Sequence, residues 1–162
     1  MGTNFYRRGK LTKEQAAKFK QSIDENDYKA IDYFYDICKE VHIGKSSGGW
    51  KFLWDAHYFN YFEPNKQSIL NWLKEGVIFD EYNKEYTFEQ FMDFLKERDI
   101  PFNQHDASTY EHYCTIENLP QSHYVRDTRF FKWFTDRYGI KVDIYGEFYI
   151  EDMRFTVDSN FC

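Results

Sequence analysis

Cysteine is scarce in this chain and badly placed for pairing: Cys38, Cys114 and Cys162 are three, odd in number and far apart. A disulfide framework is therefore not expected, and a reducing compartment is. No C-x-x-C occurs. Cys38-x-x-x-His42 and His112-x-Cys114 each resemble half a metal site in distant parts of the chain, and solvated or satisfied side chains account for them without zinc. No metal and no cofactor is expected. Long apolar runs are also missing, and the early charges Arg7, Arg8 and Lys10 leave no room for a signal-type apolar segment. The expectation is a cytoplasmic protein without a membrane anchor. Net charge is -6, with ten Lys/Arg against seven Asp/Glu in residues 1–54 and eleven against twenty thereafter. An acidic balance of that kind disfavours direct nucleic-acid binding, which needs clustered cations, and suits a basic partner.

Aromatic residues are what the chain has in plenty. Seventeen Phe, fourteen Tyr and four Trp make up 22% of 162 residues, against 30% charged, so the core must be assembled largely from rings. Tyr and Trp beyond the needs of that core suit a contact surface. The length fits one domain, residues 1–162, with no repeat, linker or low-complexity segment.

Periodicity then sets the elements. Residues 3–8 read as a strand ending at Gly9. Thr12 and Gln15 form a capping box for a helix carrying Ala16, Phe19 and Ile23, and Asp27 caps a second with Tyr28, Ile31, Phe34, Tyr35 and Cys38 along one face. Residues 40–43 and 50–54 read as strands of a hairpin with an oversized Gly-Ser loop, and the aromatic run 57–62 as a strand extension or a cap on the core. Asn65 caps a third helix with Ile69, Trp72 and Leu73 inward and Gly76 at its end. A strand at 77–79 and a polar turn at 80–85 follow. Thr87 and Gln90 open a fourth helix with Phe88, Phe91, Met92 and Leu95 on one stripe, stopped by Pro101. Residues 102–122 read as a long connection. A fifth helix runs from Asp127 to Gly139, and residues 141–145, 148–150 and 154–157 read as a meander. The expected fold class is α+β, an antiparallel sheet with about five helices packed mainly on one face.

One stretch concentrates unusual residues: His42-Ile-Gly-Lys-Ser-Ser-Gly-Gly-Trp50. Gly-Lys-Ser invites a P-loop reading, but the first glycine of G-x-x-x-x-G-K-[ST] would fall at Lys39, which excludes it. Two readings remain. The N–H groups around Ser46, Ser47, Gly48 and Gly49, beside Lys45, would form an anion nest for a small phosphorylated ligand with Trp50 or Trp54 stacking on a base. Alternatively the glycines only turn a hairpin. Ser46, Ser47, His42 and Asp55 include the residue types of a hydrolytic triad, but no nucleophile elbow surrounds them, and the chain is not expected to be an enzyme. Asp143, Glu147, Glu151 and Asp152 fit turns and a solvated strand face. Glu89, Asp93 and Glu97 recur every four residues on the helix face opposite the Phe stripe, either as a solvated face or as a docking strip for a basic channel.

The opening MGTNFY, the segment VHIGKSSGGWKF (41–52) and the closing FYIEDMRFTVDSNFC resemble a family of small bacteriophage and prophage proteins. Those begin MGTNYY, carry an HIGKSSGGW or HIGKRSAGW core and end in a meander of the type DFYSDGLRFATFTDF. Some carry a C-x-x-C ahead of the core, which this chain lacks. The resemblance implies a phage setting. With the acidic charge and surplus rings, it leads to an expected phage accessory protein that binds and inhibits a host defence protein such as a CRISPR nuclease. The residues expected to carry binding, to that partner or to a phosphorylated ligand, are His42, Lys45, Ser46, Ser47, Gly48, Gly49, Trp50, Glu89, Asp93 and Glu97.

Overall fold

The computed structural model describes residues 2–48, 51–98, 128–142 and 146–157, with the side chains of the last helix described from Lys132. Within these the elements run β1 (Gly2–Gly9), α1 (Lys13–Asp24), α2 (Tyr28–Cys38), β2 (Glu40–Ser47), β3 (Leu53–Asp55), α3 (Lys66–Lys74), β4 (Gly76–Asp80), β5 (Glu85–Tyr86), α4 (Phe88–Glu97), α5 (Thr128–Tyr138), β6 (Glu147–Ile150) and β7 (Met153–Thr156). The fold is α+β. Its seven strands form one sheet in the order β5-β4-β1-β2-β3-β7-β6. Every pair is antiparallel except β3–β7, which is parallel, so the sheet is mixed where an antiparallel one was expected. Parallel neighbours need a long crossover, and the chain between β3 and β7, which carries α3, α4 and α5, supplies it.

Local chemistry sets the helix starts. Thr12 and Thr87 each accept a hydrogen bond from the backbone N–H three residues on, while the Gln15 and Gln90 side chains accept one from the backbone N–H of the cap. Asp27 and Asn65 cap α2 and α3 from their side chains. Gly139, at φ 69°, follows the end of α5.

The core is built of rings. Phe91 of α4 lies 5.4 Å from Phe5 of β1 and 5.7 Å from Phe52, which itself meets Trp54 at 4.8 Å. A second group joins Phe59, Phe134, Phe148 and Phe155, and a third stacks Tyr58 on Trp72 at 4.9 Å. The aromatic run 57–62 thus caps the core as two turns, with Tyr58 and Phe59 enclosed. Helices α3, α4 and α5 supply Ile69, Trp72, Leu73, Phe91 and Phe134 to this cluster; α1 and α2 supply none of its buried members. The α1–α2 hairpin has its own contact, Phe19 against Phe34 at 5.7 Å. Tyr28 and Tyr35, expected on the inward face of α2, are 72% and 60% exposed. An amphipathic period marks a helix but does not say how far the sheet reaches beneath it.

The Gly-Ser stretch is strand where a loop was expected. Gly44, Lys45, Ser46 and Ser47 pair with Phe5, Asn4, Thr3 and Gly2 of β1, and Gly44 and Lys45 pair also with Trp54 and Leu53 of β3. The register shifts between Phe5 and Tyr6, leaving Ile43 as an extra residue on β2. Gly44 has a steric reason to be glycine: a Cβ there would meet the Phe52 ring at 2.4 Å and the Leu53 carbonyl oxygen at 2.5 Å. Gly49, Trp50, the connection 102–122 with His105, His112 and Cys114, and Asp143 and Cys162 lie outside the described residues. Residues 141–142, expected to open the meander, are not strand, and 143–145 are not described. Among the described residues no helix is long and apolar enough to cross a membrane.

Candidate functional site

Strand β2 spreads the expected site residues over two faces. Lys45 and Ser47 lie over Gly2, where a Cβ would come within 2.6 Å of the lysine Cε and 2.8 Å of the serine Oγ. Ser46 points the other way and is buried. Backbone N–H groups of residues 44–47 alternate along the ladder, and of the nest expected at Ser46, Ser47, Gly48 and Gly49 the last lies outside the described residues. Gly48 follows, exposed, with no atom near the place a Cβ would take. Glu89, Asp93 and Glu97 are all exposed along α4 as expected, opposite the buried Phe91, and Asp93 sits 3.5 Å from Lys96.

His42 stands apart from these. Its Nδ1 donates to Asp55 Oδ2 at 2.9 Å, and its Nε2 lies 3.4 Å from Asn4 Oδ1. The Asn4 amide donates in turn to Glu81 at 3.0 Å. The other oxygen of Asp55 accepts from the His57 ring Nδ1 at 2.5 Å and from the His57 backbone N–H at 2.9 Å. One buried carboxylate at the end of β3 therefore orients two imidazoles. Burial would raise the Asp55 carboxyl, but the hydrogen bonds from His42 and His57 bring it down to about 2. The Tyr58 hydroxyl, beside this group in sequence, is buried and has no hydrogen-bond partner among the described residues; burial, then the Asp55 charge, hold it well above the ordinary phenol value.

Both imidazoles spend Nδ1 on the carboxylate, and among the described residues no three His, Cys, Asp or Glu side chains converge as a metal site. The His42–Asp55 pair is the base-and-orienter half of the triad weighed from sequence. His57, whose side chain is 41% exposed, carries the same pairing to the surface. There it lines a cleft of about 250 Å³ with Ala56, Asn60, Trp133, Phe134, Tyr138 and Val157. Sequence reasoning missed His57 because it sits within an aromatic run. The available signal was Asp55-x-His57, a carboxylate two residues before an imidazole at a strand end.

Surface rings gather on the hairpin. Of the seven large hydrophobic residues exposed among the described ones, Ile23, Tyr28, Tyr33 and Tyr35 belong to α1 and α2. Tyr28 and Tyr35 are seven residues apart and share a face with Asp32. No protein-family model, no curated protein and no solved structure matches this chain.

Proposed function

We propose that this protein is a phage-encoded accessory protein that acts by contact and without turnover, inhibiting a host antiviral defence effector of the kind anti-CRISPR proteins inhibit. The observation that carries the reading is the α1–α2 hairpin, which exposes Ile23, Tyr28, Tyr33 and Tyr35 while contributing no buried residue to the main core. Tyrosines bury large area at low entropic cost and are favoured anchors at interfaces. Asp24, Asp27, Asp32 and Asp36 lie among them, with Lys29 exposed on the same helix and Lys39 paired to Asp36, so these rings sit in a surface of mixed charge. Acidic complementarity to a protein that handles nucleic acid comes from exposed Glu89, Asp93 and Glu97 on α4. The phage setting comes from the likeness of residues 1–6, 41–52 and the closing segment to phage proteins.

The test is phage survival on a host carrying a defined nucleic-acid-cleaving defence system, with the gene intact, deleted, or altered to Tyr28→Ala with Tyr35→Ala. Survival should fall on deletion and fall equally with the double substitution, while the purified variant melts as the parent does. Survival indifferent to deletion across such hosts would end the reading.

A further inference from the structure

A cavity of about 200 Å³ lies between α3, α4 and the β6–β7 turn, away from the His57 cleft. Phe52, Trp54 and Met153 are buried and form its base, while Leu70 of α3 and Met92 and Leu95 of α4 are half-buried and form its walls. Its remaining lining is charged: Lys51, Lys66, Lys96 and Asp152. Lys66 donates to Asp152 at 2.7 Å. That hydrogen bond, with the Lys51 charge adding to it, holds the Asp152 carboxyl below its ordinary value, so both amines act on one carboxylate. Lys96 lies 3.5 Å from Asp93, and both side chains are well exposed. Three amines against two carboxylates leave one surplus positive charge among these groups, in a chain whose net charge is -6.

We propose that this cavity binds a small aromatic monocarboxylate, its ring over Trp54 and Phe52 between the two methionines and its carboxylate at the lysine rim. Size sets the first limit. An apolar cavity of about 150 Å³ accepts benzene, and pockets for drug-sized molecules begin at roughly 300 Å³, so this one fits a single ring with a short substituent. The lining favours a ring over an alkyl chain, because thioethers make favourable contacts with aromatic edges and adjust to a guest's shape. Phe52 and Trp54 offer further ring contacts at the base. Charge sets the second limit. One surplus positive charge matches a monoanion, whereas a phosphorylated or polyanionic ligand calls for more cations than this rim supplies. The cavity shares no residue with the α1–α2 hairpin and does not depend on the protein-contact reading.

The test is a titration of the full chain, carrying labelled Met and Ile methyl groups, followed by nuclear magnetic resonance. The probes are phenylacetate, the neutral phenylacetamide, acetate and phenyl phosphate. Phenylacetate should shift the Met92 and Met153 methyl signals saturably, with a dissociation constant below about 1 mM, and leave Ile23 of the hairpin in place. Phenylacetamide should shift the same signals and bind about threefold or more weakly, and acetate should leave them unmoved. Lys96→Gln, at an exposed position, should bring phenylacetate to the affinity of phenylacetamide, with the amide's affinity and the melting temperature unchanged. Absence of a saturable shift with phenylacetate would overturn the assignment. So would an amide that binds as tightly as the acid, acetate moving the methyl signals to the same extent, phenyl phosphate binding more tightly than phenylacetate, or phenylacetate binding indifferent to Lys96→Gln.

Discussion

Phe91 in α4 and Tyr35 in α2 are both rings on helices with side-chain caps and an amphipathic period, yet Phe91 is fully enclosed and Tyr35 is 60% exposed. The difference lies beneath the helices. Phe91 meets Phe5, Phe52 and Trp54 across the face of the sheet, whereas the hairpin reaches the sheet near Gly9, where a Cβ would strike the Ile37 carbonyl oxygen at 2.0 Å. One aromatic composition thus has two fates: in the α3–α4–α5 layer it makes the core, and on the hairpin it stays exposed.

The largest expected effect separates these two regions directly. Phe91→Ala should cost about 3–5 kcal/mol in urea unfolding, the usual range for a buried ring removed from a core. Tyr28→Ala and Tyr35→Ala should each stay within about 0.5 kcal/mol, as exposed positions do. Equal costs would erase the distinction. Next comes the strand beneath the layer. Gly44→Ala should destabilise by on the order of 3 kcal/mol because the new methyl meets the Phe52 ring and a backbone carbonyl. Gly48→Ala, which meets nothing, should be silent.

Acid adds a third, smaller effect. The Asp55 carboxyl is held at about 2 against an ordinary 3.8, so its contribution is complete above the ordinary value and is lost as pH falls through the folded one. At about 1.36 kcal/mol per unit that is roughly 2 kcal/mol disappearing between about pH 4 and pH 2. Asp55→Asn should flatten that part of the stability–pH curve, and an unchanged slope would show the His42 and His57 bonds to be weak. The smallest effect concerns Glu151, which turns β6 into β7 with φ 52°. Glu151→Gly should raise the unfolding free energy by about 0.5 kcal/mol, since glycine takes that conformation without strain.

The sequence made the helices legible because their signals are local. Thr12 with Gln15, Thr87 with Gln90, Asp27 and Asn65 lie within one turn of what they cap, and all four cap as read. What it hid depends on distant partners. Gly-Lys-Ser-Ser reads as a loop because glycine and serine favour turns, yet β1 on one side and β3 on the other hold it extended. The parallel β3–β7 pair and the outward turn of Tyr28 and Tyr35 have no local signature. The same holds for His57: its aromatic neighbours are visible in sequence, but its cleft is completed by α5, more than seventy residues away.

Site-resolved photo-crosslinking in infected host cells tests the proposed contact surface most directly. A photoreactive residue is placed at Tyr35 on the hairpin or at Tyr82, which is 77% exposed in the β4–β5 turn. Both sites are open to solvent, so exposure alone would label them alike. The account predicts one dominant host protein adduct from Tyr35, a nucleic-acid-handling protein, and none from Tyr82. The same adducts from both positions, or none from Tyr35 in a host where deletion of the gene lowers phage survival, would contradict it.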